Sequence, residues 1–393
     1  MNSAPQKKPF VAIACGGTGG HLFPGLAVAE QLKQRRCDVA LLISPKDVDQ
    51  QAVKSAQGME IFTLPAVGLQ NRNYFSFAGS FVKSLFAARR FFRRRKPNAV
   101  LAMGGFTSAS PIFVGKEMRA KTFLHESNTI PGKANRFLAR FVDEAFVGFP
   151  EAAPRLRAKK VSATGTPVRP QFLPAARGRR SAAIALGFDP QRPVVLVVGG
   201  SQGASSLNTI VLSALPLLAH KNWQWLHLTG AGDFENVKSA YAALGLNAVV
   251  QPFLAEMDLA LGAATAAVSR AGASSLAEIA AMGLPALLVP FPAAADNHQF
   301  FNARIYALSG AARLLEQKDS TPEKVATILA ELVADDSARA KMHAALELWH
   351  TPQSAEQIAA KILRWAFRAG DAPRVETAVL KRSQSDPRNL PAA

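Results

Sequence analysis

Two strand-to-helix turns built from glycine constrain this chain more than any other feature. One is Gly199-Gly200-Ser201-Gln202-Gly203-Ala204, which follows the apolar run Val194-Val195-Leu196-Val197-Val198 and precedes a helical pattern from Ser206 to Leu218. The other is Gly16-Gly17-Thr18-Gly19-Gly20-His21, after Phe10-Val11-Ala12-Ile13-Ala14. A buried strand, a turn without side chains and a helix start make an anion site. Backbone can approach a phosphate there, and the helix N-terminus presents free N–H groups. One such turn is weak evidence. Two, in separate halves of the chain, argue for two α/β units in series.

Length agrees: 393 residues, 49% of them hydrophobic, exceed one ordinary core and suit two packed domains. Strand patterns at 10–15, 39–43, 59–64, 99–103, 121–125 and 144–147 alternate with helical ones at 24–36, 81–96 and 133–140. Pro24 fits a first helical turn. A second series of strands follows at 194–198, 225–228, 248–251, 266–269 and 286–290. The fold class is therefore α/β, with two doubly wound parallel sheets facing across a cleft and ligands outside the C-terminal strand ends. The Pro- and Arg-rich stretch 168–192 reads as the interdomain linker, and 369–393 as a disordered tail.

Lys and Arg number 46 against 28 acidic residues, a net charge of +18. That favours a phosphorylated ligand, a lipid headgroup or nucleic acid as partner. Between Tyr74 and Lys96, Phe75, Phe77, Phe81, Phe86, Phe91 and Phe92 interleave with Lys83, Arg89, Arg90, Arg93, Arg94 and Arg95. Aromatic and basic residues on one helix and its approach favour a membrane surface, although part of the aromatic set must pack the helix on its own sheet. Nucleic-acid binding competes, but single-strand binders carry their aromatics across a sheet or groove. Cys15 and Cys37 form no framework and suit a reducing compartment. Neither a signal peptide nor a membrane span is expected.

Gly16–His21 lacks the dinucleotide spacing, and a P-loop lysine is missing. It is either a tight turn or a loop admitting a bulky polar ligand, with His21 at its lip as a general base. His125-Glu126-Ser127-Asn128 follows an apolar strand and reads equally as a site or a polar turn. Ser275 and Glu278 have capping-box spacing, which favours a helix cap over a carboxylate for ribose hydroxyls. Asp296, Asn297, His298, Gln299 and Asn302 supply the donors and acceptors a sugar needs, or form a polar loop. Asp47 and Asp49 resemble a metal-binding acid pair but read as solvated surface, so no metal site is expected.

Together, Gly16-Gly17-Thr18-Gly19-Gly20-His21-Leu22-Phe23-Pro24-Gly25-Leu26-Ala27, Met103-Gly104-Gly105-Phe106, His125-Glu126-Ser127-Asn128, Gly165-Thr166-Pro167-Val168-Arg169, the Gly199 turn and Glu278-Ile279-Ala280-Ala281-Met282-Gly283-Leu284-Pro285 resemble the MurG family. These are peptidoglycan N-acetylglucosaminyltransferases of the GT-B class. The resemblance spans about residues 10–310. It implies inverting transfer of GlcNAc from UDP-GlcNAc to the 4-hydroxyl of MurNAc on lipid I, giving lipid II, with no cofactor or metal. It implies a peripheral protein on the cytoplasmic face of the inner membrane, touching anionic lipid and no nucleic acid, with other cell-wall and division proteins as further partners. It divides the chain into an acceptor domain 1–168, a donor domain 169–352 opening with the linker, a helix near 353–367 packing back on the first domain, and a tail 368–393.

Carried over by position, the donor would meet Thr18, Gly19, Gly20, Asn128, Arg169, Ser201, Leu254, Ala273, Ser274, Ser275, Leu276, Ala277, Glu278 and Gln299. Arg169 would neutralise pyrophosphate, and Glu278 would hold the ribose, against the local preference for a cap. His21 is the implied base and Glu126 the alternative. The membrane patch would be Phe75, Phe81, Arg93, Arg94 and Arg95. Three positions depart from the family pattern: Thr166 where Asn is common, Ser127 where Gln is frequent, and Asn297-His298-Gln299 for Arg-Gln-Gln. A UDP-GlcNAc 2-epimerase, acting on the same donor without a lipid, is the competing enzyme. A non-enzymatic binder of membrane or nucleic acid is the third reading.

Overall fold

The fold, taken from a computed structural model, is described for residues 8–17, 19–46, 50, 58–65, 74–172, 178–200 and 203–366, with the side chains of 74–77 excepted. Two parallel sheets carry it. The first contains β1 (Phe10–Ala14), β2 (Asp38–Ile43), β3 (Glu60–Thr63), β4 (Ala99–Ala102), β5 (Lys121–Glu126), β6 (Glu144–Val147) and β7 (Val161–Ala163), in the order 3-2-1-4-5-6-7. The second contains β8 (Val194–Val198), β9 (Gln224–Leu228), β10 (Asn247–Gln251), β11 (Ala266–Ser269), β12 (Ala286–Leu288) and β13 (Arg313–Leu314), in the order 10-9-8-11-12-13. β1 lies between β2 and β4, and β8 between β9 and β11. The strand order therefore reverses beside each strand that feeds a glycine turn, which is where doubly wound sheets bind ligands. Both central strands are buried along their whole length, so they read as unbroken apolar runs.

Several element boundaries differ from the sequence reading. The first helix runs Gly19–Gln34, so Pro24 sits inside it and not in its first turn. Proline has no N–H, and the carbonyl four residues earlier, that of Gly20, loses its helical partner. Within the stretch read as linker, Arg179–Ala185 is a helix, and Ala182, Ala183 and Phe188 belong to the second core. Their apolar side chains outweigh the surrounding proline and arginine. The last helix, Ser354–Ala366, packs Ile358, Ala359, Ile362 and Leu363 against Val11, Leu22, Leu26 and Leu32 of the first unit. That is one apolar stripe at helical spacing. Its polar edge grips buried Glu144, which accepts from Lys361 Nζ at 3.2 Å and Trp365 Nε1 at 2.9 Å. The tail 368–393, with Asp47 and Asp49, lies outside the described residues.

The basic aromatic segment divides between core and surface. Its helix is Tyr74–Arg94. Phe91 and Phe92 are buried, and Phe91 stacks on Phe62 with ring centroids 4.5 Å apart. Arg95 is a correction to the proposed patch. It pairs with Asp38 and Glu60, each at 2.6 Å, and its guanidinium lies 4.2 Å from the Phe10 ring centroid. It closes the edge of the first sheet and carries no free charge. Phe81 lines the interdomain cleft, and the Phe75 side chain is outside the described residues. Among the described side chains of this helix, Val82, at 47%, and Phe86, at 67%, are large apolar groups that are exposed, with Arg93 and Arg94 exposed beyond them. Among the described residues no helix is long and apolar enough to cross a membrane.

Candidate active site

A cleft of about 1910 Å³ separates the two sheets and is lined from both. On the second-domain wall stand Gly199, Gly200 and Gly203. At Gly203, φ is +77°, and an added Cβ would stand 2.2 Å from the Thr229 carbonyl oxygen. Only glycine lets this turn close. Ser201 and Thr18 lie outside the described residues.

Two helices start at this wall, Ser205–Leu218 and Ala273–Ala281, and neither has a side-chain cap. The capping-box reading of Ser275 and Glu278 is therefore corrected. The N-cap is Gly272, so Glu278 lies beyond the first turn and cannot reach back to it. Among the described residues no N-cap side chain engages the first-turn N–H groups, which makes both helix starts suited to an anionic ligand. Ser274, Ser275 and Glu278 line the cleft from one helical face, and Ala273 reaches it at the helix start. Leu276 is a second correction, because it points oppositely and is fully buried in the second core. Ala277 faces a small hinge cavity beside Tyr306 and Trp349.

Arg169 enters the cleft between two rings, its guanidinium 4.3 Å from the centroid of Phe23 and 5.2 Å from that of Phe172. Among the described residues its Nε has no hydrogen-bond partner. Burial lowers its basicity, and Glu278, Asp258 and Glu30 raise it. Burial likewise pushes the Glu278 carboxyl up to about 7, against the pull of Arg169. Leu254 lines the same wall. Gln299 accepts from the backbone N–H of Ala271 at 3.2 Å and of Phe291 at 3.0 Å, leaving its amide NH2 to donate.

On the opposite wall His21 occupies the first turn of its helix, with Gly19 and Gly20 beside it. Its ring lies over the Gly104–Gly105 turn. A Cβ on Gly104 would stand 2.8 Å from His21 Nε2, and one on Gly105 3.3 Å from Nδ1. Both glycines have positive φ, +114° and +75°. The Met103–Phe106 motif thus provides a seat for the imidazole. The Gly20 carbonyl, released by Pro24, accepts from Ser274 Oγ at 2.9 Å across the cleft.

Glu126 ends β5 and is buried. Its Oε1 accepts from Asn128 N at 2.8 Å and Asn128 Nδ2 at 3.1 Å. Its Oε2 accepts from Gly132 N at 3.0 Å and Asn135 Nδ2 at 2.8 Å. Burial raises its carboxyl, and these four donors pull it back. Neighbouring His125 is fully buried, and burial pushes it down to about 4. As a neutral imidazole it donates from Nε2 to the Gly165 carbonyl at 3.1 Å and accepts on Nδ1 from Ser127 Oγ at 3.3 Å. The Ser127 departure thus preserves a bonded tautomer.

Asn302, read as a sugar contact, is wholly buried, and its carboxamide bonds protein groups. Asp296 instead pairs with Arg136 of the opposite wall at 2.6 Å. Sequence reasoning gave no role to Arg270, which is buried, pairs with no carboxylate among the described residues and lines the cleft. It donates to the carbonyls of Val289 at 2.9 Å and Pro290 at 3.2 Å, and to Ser206 Oγ at 2.7 Å and Gln317 Oε1 at 2.9 Å. Burial pulls it down to about 10. A lone arginine directly after the apolar strand β11 was the available signal.

The profile of the glycosyltransferase family 28 N-terminal domain matches residues 11–147, and that of the family 28 C-terminal domain matches 194–360. This chain belongs to glycosyltransferase family 28. The family 28 match places β1 to β6 in the N-terminal profile and the second sheet in the C-terminal one. A relative from Anaeromyxobacter sp. (strain Fw109-5) is 37% identical over 370 residues, 91% of this chain and 95% of the relative. It is named UDP-N-acetylglucosamine–N-acetylmuramyl-(pentapeptide) pyrophosphoryl-undecaprenol N-acetylglucosamine transferase. The crystal structure of Acinetobacter baumannii MurG has a TM-score of 0.69 and 27% identity, covering 91% of this chain and 99% of that one. A UDP-N-acetylglucosamine 2-epimerase has a TM-score of 0.65 at 12% identity, covering 91% and 96%, and shares the fold alone.

Proposed function

We propose that this family 28 enzyme moves GlcNAc from UDP-GlcNAc to the 4-hydroxyl of MurNAc on undecaprenyl-pyrophosphoryl-MurNAc-pentapeptide. The observation that carries the reading is the 37% identity to a relative so named, along 95% of that relative's length. The chemistry is a single in-line displacement. The acceptor O4–C1 bond forms as the bond from C1 to the β-phosphate oxygen breaks, and UDP leaves with the electron pair. His21 takes the acceptor proton. The Gly199–Gly203 turn, the two uncapped helix starts and Arg169 face the departing pyrophosphate. Fixed dipoles and a cation aimed at developing charge stabilise it best in a dry site. The domain division at 168/169, with the last helix returning to the first unit, belongs to the same proposal. Full-length protein incubated with UDP-GlcNAc and the lipid acceptor should yield the disaccharide lipid. Conversion of UDP-GlcNAc to its C2 epimer without acceptor would instead favour the epimerase.

Glu278 in the donor wall offers both carboxylate oxygens to the ribose hydroxyls when ionised, and loses one acceptor and its charge when protonated; burial raises its carboxyl to about 7. Donor affinity should therefore improve as pH rises through about 7 and weaken below it. Glu278→Gln should flatten that dependence when UDP-GlcNAc binding is measured by calorimetry from pH 6 to about pH 8. A variant retaining the full pH slope would remove Glu278 from the ribose.

The lipid acceptor requires contact with a membrane, and the cytoplasmic face of the inner membrane is the proposed location, with cell-wall and division proteins as neighbours. Val82 and Phe86 supply an apolar wedge, and Arg93 and Arg94 the positive charge. Changing Val82 and Phe86 to serine and both arginines to glutamine should lower binding to anionic liposomes about tenfold or more, since each basic residue near the surface contributes about 1 kcal/mol. Arg95→Gln should leave liposome binding unchanged and lower thermal stability, because it is held by Asp38 and Glu60. Equal binding by all variants would sink the patch.

A further inference from the structure

Asn302 lies on the helix His298–Leu308 of the second unit and is 0% exposed. Its Oδ1 accepts from the first unit, from Thr129 N at 3.0 Å and Thr129 Oγ1 at 2.9 Å. Its Nδ2 donates to Asn128 Oδ1 at 3.0 Å in the first unit and to the Ala271 carbonyl at 3.1 Å in the second. A carboxamide has two donors and two acceptor positions, and all four are used.

The orientation of this amide is determined by its neighbours. Both Thr129 groups are donors, which fixes oxygen on that side. Asn128 is fixed in turn, because its Nδ2 must face the Glu126 carboxylate at 3.1 Å, leaving Oδ1 for Asn302. On the far side, Ala271 N donates to Gln299 Oε1. The result is one bonded series, Glu126–Asn128–Asn302–Ala271–Gln299, running from the acceptor wall to the donor wall. Every link has one permitted polarity.

We infer that Asn302 is a cross-cleft positioning residue: it sets the Asn128 side chain and the Ala271 backbone in register, so that the two halves of the site assemble together when the domains are closed. Asn302 touches neither reactant and acts through Asn128 and Gln299. The inference rests on the transfer reading above for what is positioned, but the strut itself is a property of the ligand-free chain. A buried carboxamide at this junction serves better than an apolar residue, which would hold the units together in any register.

The test compares full-length wild type with Asn302→Ala and Asn302→Asp, the latter similar in shape but lacking both donors. Small-angle scattering without ligand should give a larger radius of gyration for both variants. Calorimetry with UDP-GlcNAc should still give full stoichiometry, with Kd within about threefold of wild type, while kcat falls about tenfold or more through misplacement alone. A merely structural lesion would lower stoichiometry in step with kcat and overturn the inference. Asn128→Ala with Asn302→Ala should lose little more than the worse single variant, because both break one series. Multiplying losses would overturn it. If Asn302→Ala does not fold, Thr129→Val removes one bond to Oδ1 and replaces it in the same cycle. A wild type that transfers no GlcNAc refutes the transferase reading, and the scattering comparison then judges the strut alone. Wild-type kcat and radius in folded variants refute the strut alone.

Discussion

His21→Ala lowers turnover by about two to four orders of magnitude, the range expected for losing a positioned general base, and leaves donor affinity within a few fold. The expectation follows from position. His21 lies in the first turn of the first unit's first helix at the lip of the cleft, across from the start of Ala273–Ala281. The Ser274–Gly20 bond at 2.9 Å ties these two helix starts together. In the proposed transfer, an imidazole there faces the acceptor hydroxyl as it meets the donor sugar. The Gly104–Gly105 turn keeps it there, so Gly104→Ala offers an independent check. Its Cβ would collide with Nε2 at 2.8 Å and would also have to adopt φ +114°. That variant should lose turnover although the imidazole remains. The measurement is kcat and KM for both substrates at saturation of the other. Wild-type turnover in His21→Ala would exclude His21 as the base.

What the sequence made legible follows from where signals are local. The runs before the two glycine turns could be read because β1 and β8 are buried on both faces, which leaves an unbroken apolar string. β7 and β13 gave no such string. They are edge strands of three and two residues, paired on one side, and their neighbours define them. Pro24 misled because its usual helical position is the first turn; here the glycines before it already coil, and the bond it forfeits becomes a cross-cleft contact. The spacing of Ser275 and Glu278 suggested a cap because spacing does not reveal where a helix begins. Leu276 belongs to the site motif by continuity of sequence, whereas helical rotation turns its side chain to the core. Arg95 reads as free charge in the sequence because its partners, Asp38 and Glu60, are remote along the chain. Asn302 and Thr129 are 173 residues apart, so no local pattern could pair them. Residue types at the site were readable, and the bonds that already occupied them were not.

The same distinction decides Glu126, for which we expect Glu126→Ala to cost both folding and turnover. The substitution strands Asn128 N, Asn128 Nδ2, Gly132 N and Asn135 Nδ2 around a buried void. At about 1–3 kcal/mol for each buried donor left unpaired, with water recovering some of them, a loss of about 3 kcal/mol in stability is expected. Glu126→Gln is less disruptive in volume but turns an NH2 toward two donors, so it should retain part of the cost. Turnover falls because Asn128 and the Gly132 turn lose their anchor. This separates positioning from catalysis. Each carboxylate oxygen already accepts two bonds, so taking a proton from the acceptor would require surrendering one of them in a buried setting. If His21 is the base, the residual activity of Glu126→Gln keeps the wild-type fall in kcat toward acid pH. If that acid limb vanishes with Glu126 and survives in His21→Ala, the roles are reversed and Glu126 is the base.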